Sequence, residues 1–205
     1  SATSLYNYKQ CPLKYKYKYI DLIPEIINKP YIELGKIIHK VLELFHSNNN
    51  HTLENLLAIL DNKWEKEIYQ FDEEEKQNYH DAIDMLKKYW NYLQLHPIES
   101  NICEYSFKFE TNDIKLFGKC DRIDLVGDND VNIIDYKTSR KIDTKNELMK
   151  NIQLGIYAIF LLNEGIEING KKIKKIPYRV KMLYLRESEP EVSIQFTEGD
   201  LNEFL

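Results

Sequence analysis

The hydrophobic period of this chain changes once, near residue 100, and that change limits the folds open to it. Up to residue 99 the apolar residues recur three and four positions apart, as helices burying one face require. Beyond it they alternate, as strands do. Residues 4–20 (SLYNYKQCPLKYKYKYI) predict two short helices, the second opened by Pro12, because proline suits a first helical turn. Residues 31–46 place Leu34, Ile37, Ile38, Val41, Leu42 and Phe45 on one helical face. Helices over about 52–69 and 73–95 follow, with an inner stripe of Trp64, Ile68, Met85, Tyr89 and Leu93. CEYSFKFE, IKLFGKCDRIDLV and VNIIDYKT then read as an antiparallel meander joined by TND and GDND turns. An apolar helix over about 145–163, a lysine-rich GKKIKK loop and the strands PYRVKMLYLR and EVSIQFT complete the chain. The expected class is α/β of the mixed α+β kind: one domain over 1–205, mainly helical to 99 and sheet-bearing from 100, with an N-terminal helical arm.

The 205 residues suffice for one domain with a real core. No apolar run approaches the length of a membrane span, and no signal-peptide pattern opens the chain. Three separated cysteines, Cys11, Cys103 and Cys120, suit a reducing, cytoplasmic setting better than a disulfide framework. With 33 acidic and 28 basic residues the net charge is −5, which argues against a uniformly basic nucleic-acid coat but leaves room for a local basic track. The chain opens on Ser1 and closes on EGDLNEFL, a helix just beginning, so it is expected to be a piece of a longer protein.

Chemistry concentrates in VNIIDYKT. On a strand Asp135 and Lys137 share a face while Ile134 and Tyr136 take the other. A carboxylate and an ammonium so placed can hold a hard divalent cation and orient or deprotonate a water; an ordinary strand ion pair has the same pattern. GKCDRID adds Asp121 and Asp124. A symmetric turn pairing Val126 with Val131 would put Asp121 on the face opposite Asp135, so convergence of the two requires an odd-length turn or a β-bulge. His39 follows Gly35 by one helical turn, and a glycine inside a helix suggests the close approach of sheet or substrate backbone. Gln153 and Tyr157 lie one turn apart on an otherwise apolar helix, where each could satisfy the other.

Taken in order, these blocks resemble the RecB-like branch of the PD-(D/E)XK nuclease superfamily. The resemblance begins at SLYNYKQCPLKYKYKYI and continues through LGKIIH, GKCDRID, IIDYKT and QLGIYA; the opening block and YIDLIPEI look most like nuclease domains fused to UvrD-type helicases. It implies a restriction-endonuclease-like mixed sheet flanked by helices. By it His39, Asp121, Asp135 and the Tyr136 carbonyl would hold Mg²⁺, with Mn²⁺ able to substitute. Lys137 would be the catalytic lysine, with Asp121 and Asp135 acting beside it. Gln153 and Tyr157 would support the site and contact nucleic acid. The implied reaction is in-line hydrolysis of DNA, as single strands or duplex ends, by an exonuclease-type repair or recombination module with a helicase partner. Two other readings stand beside it: an idle nucleic-acid-binding module with the same fold, and an unrelated metal-binding α/β protein.

Many relatives of that branch hold an iron–sulfur cluster through one N-terminal and three C-terminal cysteines. No cysteine follows Cys120, so no cluster is expected in this chain: either Cys11 packs, or the tail is elsewhere. For the nucleic-acid track, Lys14 and Tyr15 of KYKYKY could pair phosphates and stack bases, unless this is a solvated helix whose tyrosines anchor the core. Lys9 and Arg140 flank the motif-bearing elements and rank with Lys14 above the GKKIKK loop.

Overall fold

The computed structural model describes residues 1–24, 29–98, 100–111, 114–127, 129–168, 170–202 and 204. Parts of YIDLIPEI, both meander turns and EGDLNEFL therefore lie outside the described residues. The arm comprises α1 (Ala2–Gln10) and α2 (Pro12–Tyr15), which runs on as a π-helical turn over Lys16–Ile20. Ser1 caps α1 through a reciprocal box with Ser4. Cys11, for which packing is one of the two alternatives, is exposed at the junction.

Three helices follow: α3 (Pro30–His46), α4 (Leu53–Lys63) and α5 (Asp72–Leu95). The expected stripe of α3 is buried along its whole length. α4 stops short of the expected 69, because Trp64 turns extended and stacks on Tyr69 while its indole N–H donates to Glu75 Oε1 at 2.6 Å. The meander is β1 (Asn101–Thr111), β2 (Ile114–Val126) and β3 (Asp130–Lys137). The helix expected over 145–163 is broken into α6 (Lys145–Met149) and α7 (Ile152–Asn163). Asn151 makes the break: its side chain accepts the N–H groups of Gln153 and Leu154 and so starts a new helix. The lysine-rich stretch after α7 is a small ribbon, β4 (Ile166–Ile168) against β5 (Lys171–Ile173), rather than a loop. β6 (Arg179–Tyr184), β7 (Glu191–Ile194) and α8 (Glu198–Asn202) close the described chain.

The main sheet runs β1-β2-β3-β6-β7, antiparallel except where β3 pairs β6 in parallel. Both faces are covered, as an embedded parallel pair requires. On one side Phe107, Phe109, Cys120, Ile133, Val180 and Met182 pack under α7. On the other Ile134, Tyr136, Leu183 and Leu185 pack under α3, α4 and α5. β3 thus lies between two helical layers, and its alternating side chains are divided between them. This is the mixed α/β sheet expected from the period change.

Candidate metal centre

The centre forms where β2 and β3 part. Val126 faces Asp130, leaving three residues in the turn, so the turn is odd. Counting on, Arg122 faces Ile134, and the next position sets Asp121 opposite Asp135. The backbone ladder ends there. Asp121 Oδ2 takes its place by accepting the Tyr136 N–H at 2.8 Å. β2 turns locally at this point, since Cys120 and Ile123, three apart, both enter the core under α7. Across from them Ile102 and Tyr105 of β1 do the same, and between these Glu104 has φ 54°. A left-handed conformation costs a non-glycine residue about 1–2 kcal/mol, and here it coincides with the swing that separates the strands.

His39 enters from α3. Gly35, one turn earlier, lets the helix close on the end of β3: a Cβ there would stand 3.3 Å from Thr138 Oγ1. The approach expected at this glycine is therefore that of the sheet. His39 Nε2 lies 3.1 Å from the Tyr136 carbonyl, and Nδ1 lies 3.3 Å from Asp121 Oδ1. Burial pulls the imidazole pKa down, but the hydrogen bond and charge of Asp121, helped by Asp135, leave it above its usual value.

Asp135 is buried, with Lys137 ion-paired to its Oδ2 and the Gln153 amide donating to its Oδ1 at 2.9 Å. Burial raises the Asp135 pKa and the Asp121 charge adds to the rise, while Lys137 offsets part of it. Burial pulls Lys137 down, yet the charge and hydrogen bond of Asp135, then Asp121, hold it above its usual value. In this state Lys137 is a charged donor, better suited to orienting a water or phosphate than to taking a proton. Gln153 also donates to the Tyr157 hydroxyl, which in turn donates to the Lys119 carbonyl at 2.8 Å. The pair on α7 therefore ties β3 to β2 across the opening. Each satisfies the other, and both also hold the centre.

On the far side of Tyr136 lies a buried network. Arg122, 2% exposed, donates to the hydroxyls of Tyr89 and Tyr136 and to His46 Nε2, and pairs with Asp124. Burial, and to a lesser degree the Arg122 and His51 charges, depresses the His46 pKa to about 2.

His39, Glu104 and Asp121 each offer a ligand atom within 4.8 Å of the others. Neighbouring ligands on a small divalent cation with bonds near 2.1 Å stand about 3 Å apart, close to the 3.3 Å between His39 Nδ1 and Asp121 Oδ1, while the other ring nitrogen, Nε2, faces the Tyr136 carbonyl. The residues fit such a cation. Sequence reasoning missed Glu104, although Thr111 faces Ile114 in the β1–β2 hairpin and counting back from that pair sets position 104 against 121.

The basic track is less concentrated. Lys9 shares a groove of about 500 Å³ with Tyr6, Lys150 and Gln153, so this groove joins the arm to the centre. Lys14 is exposed. Tyr15 is half-buried, its ring 5.3 Å from Tyr8 and 5.0 Å from Tyr19, so it braces the arm. The arm tyrosines that face solvent are Tyr6, Tyr8 and Tyr17. Arg140 is 82% exposed, with Asp81 at 3.6 Å.

Hard oxygen donors, one imidazole and a lysine grouped at the parted end of a mixed sheet form a donor set suited to a hard divalent cation. The model of the PD-(D/E)XK nuclease superfamily matches residues 1–203, and the chain belongs to that superfamily, whose members are generally metal-dependent nucleases. Among solved structures, protein VC1899 from Vibrio cholerae is similar at 13% identity and a TM-score of 0.30. The match covers 84% of this chain and 46% of that one, so the chain spans about half the length of that protein. No curated protein matches. Among the described residues no helix is long and apolar enough to cross a membrane.

Proposed function

We propose that this chain is a Mg²⁺-dependent deoxyribonuclease of the RecB-like branch, acting as an exonuclease-type module on single strands or duplex ends, with a helicase as partner. The observation that carries the reading is the convergence of Asp121, Asp135 and Lys137 at the parting of β2 and β3, beneath His39 and Gln153. Asp121, Asp135, His39 and the Tyr136 carbonyl would hold the cation, with Glu104 beside them. When bound, the cation supplies Lewis-acid polarisation of the phosphate and offsets charge in the transition state. Lys137 orients the attacking water and donates to a phosphate oxygen. Gln153 holds Asp135 in place, and Tyr157 holds Gln153. Lys9, Lys14 and Arg140 contribute phosphate contacts on the approach, and Tyr15 braces the arm that carries the first two.

The test is incubation of linear single- and double-stranded DNA with the protein and Mg²⁺ or Mn²⁺, beside Asp135→Ala and Lys137→Ala. The wild type is expected to shorten DNA from its ends only when a cation is present, and both variants are expected to be inert. Wild-type protein that binds DNA but never cuts it would replace this reading with an idle binding module.

A further inference from the structure

Lys119 accepts the Tyr157 hydroxyl at its carbonyl, and its side chain occupies Glu104, the carboxylate of the centre that sequence reasoning missed. Its ammonium is ion-paired with Glu104. The two partners differ in freedom: the Lys119 side chain is 54% exposed and that of Glu104 is 20% exposed. Glu104 also stands within 4.8 Å of the ligand atoms of His39 and Asp121. A divalent cation entering between these three would meet a carboxylate already engaged, with a positive charge against it. Like charges at that range repel in proportion to the charge of the newcomer. The long, exposed lysine can swing away, whereas Glu104 is held on the kinked strand.

We infer that Glu104 completes the cation's ligand set and that Lys119 is its stand-in counter-ion, displaced when the cation binds and then presented to a substrate phosphate beside it. This rests on the cation reading proposed above. It couples the two binding events, because the ammonium that neutralises Glu104 is the one that cation binding would turn toward nucleic acid.

Calorimetric titration with Mn²⁺ tests it without reference to activity. Lys119→Met is expected to bind Mn²⁺ about two- to fivefold tighter, the gain from removing an exposed rival ion pair. Glu104→Gln is expected to bind at least about tenfold weaker. In the double variant the effect of Lys119→Met is expected to vanish. In a Lys137→Met background, Mn²⁺ is expected to tighten binding of a labelled single-stranded oligonucleotide. Adding Lys119→Met should then lower the salt slope by about 0.7, the single-strand value for one lost phosphate contact. Equal or weaker Mn²⁺ binding by Lys119→Met, or unchanged binding by Glu104→Gln, overturns the exchange. An unchanged salt slope overturns the phosphate contact. If the wild type binds Mn²⁺ and Asp121→Asn does not, the cation reading survives those failures. A wild type that binds no Mn²⁺ overturns both.

Discussion

Asp121 accepts the backbone N–H of Tyr136 at 2.8 Å, so one carboxylate both ends the β2–β3 ladder and faces His39 Nδ1 through its other oxygen. These two tasks can be separated. Asn in place of Asp keeps an acceptor for Tyr136 but removes the charge, whereas Ala removes both. Asp121→Asn is expected to melt within a few degrees of wild type while losing cation binding and cleavage. Asp121→Ala should lose about 1–3 kcal/mol of stability as well, the cost of an orphaned buried N–H. Thermal melts beside Mn²⁺ titrations decide the matter, and equal melting of Asn and Ala variants would show that the tie is not structural.

Gln153 bridges Asp135 and Tyr157 through one amide nitrogen. Gln153→Ala frees Asp135 to rotate under Lys137, and cleavage is expected to fall about 10- to 100-fold, the usual scale for losing a group that orients a ligand. The loss should be partly recovered at high Mg²⁺, which a failure of substrate binding alone would not show. Initial rates across a cation series distinguish the two.

His46 gives stability a pH dependence of definite sign. Its pKa lies at about 2 when folded, against 6.5 as an unperturbed histidine. Below pH 6.5 the unfolded chain takes up a proton that the folded one refuses, so this contribution is complete above 6.5 and is lost progressively toward 2. The slope is about 1.4 kcal/mol per pH unit, or about 2 kcal/mol between pH 6.5 and 5. Urea melts over that interval should show a flatter curve for His46→Gln than for wild type, and parallel curves would refute the assignment.

Arg122 is the buried charge on which that network depends, and Asp124 is its carboxylate partner. Arg122→Met leaves Asp124 buried without its cation and is expected to cost about 3–5 kcal/mol. Arg122→Met with Asp124→Leu should recover most of the loss, since an apolar pair needs no counter-charge. Chemical denaturation of the four proteins closes the cycle.

Much of this architecture was legible because it follows from counting. The period change located the sheet, the stripe from Leu34 to Phe45 located α3, and asking that Asp121 and Asp135 meet required an odd turn after Val126 or a β-bulge, of which the odd turn is present. What escaped depends on contacts between distant segments. Trp64 leaves α4 to reach Tyr69 and Glu75, and Asn151 interrupts an apolar helix whose composition favours continuity. Tyr15 packs against Tyr8 and Tyr19 instead of remaining free. Glu104 was countable from the β1–β2 hairpin, which sets it against Asp121, but its approach to His39 depends on where α3 packs on the sheet.

The three-residue turn between Val126 and Asp130 has a consequence for how this protein can vary. Neighbouring strand side chains point oppositely, so adding or removing one residue there would exchange the two faces of β2 relative to β3. Asp121 would then leave the centre and Arg122 would enter it, with every motif still readable in the sequence. Two added residues would restore the arrangement. The length of this turn, modulo two, is therefore inherited with the activity, and Gly127, at φ 56°, is a position in it where the backbone itself favours glycine.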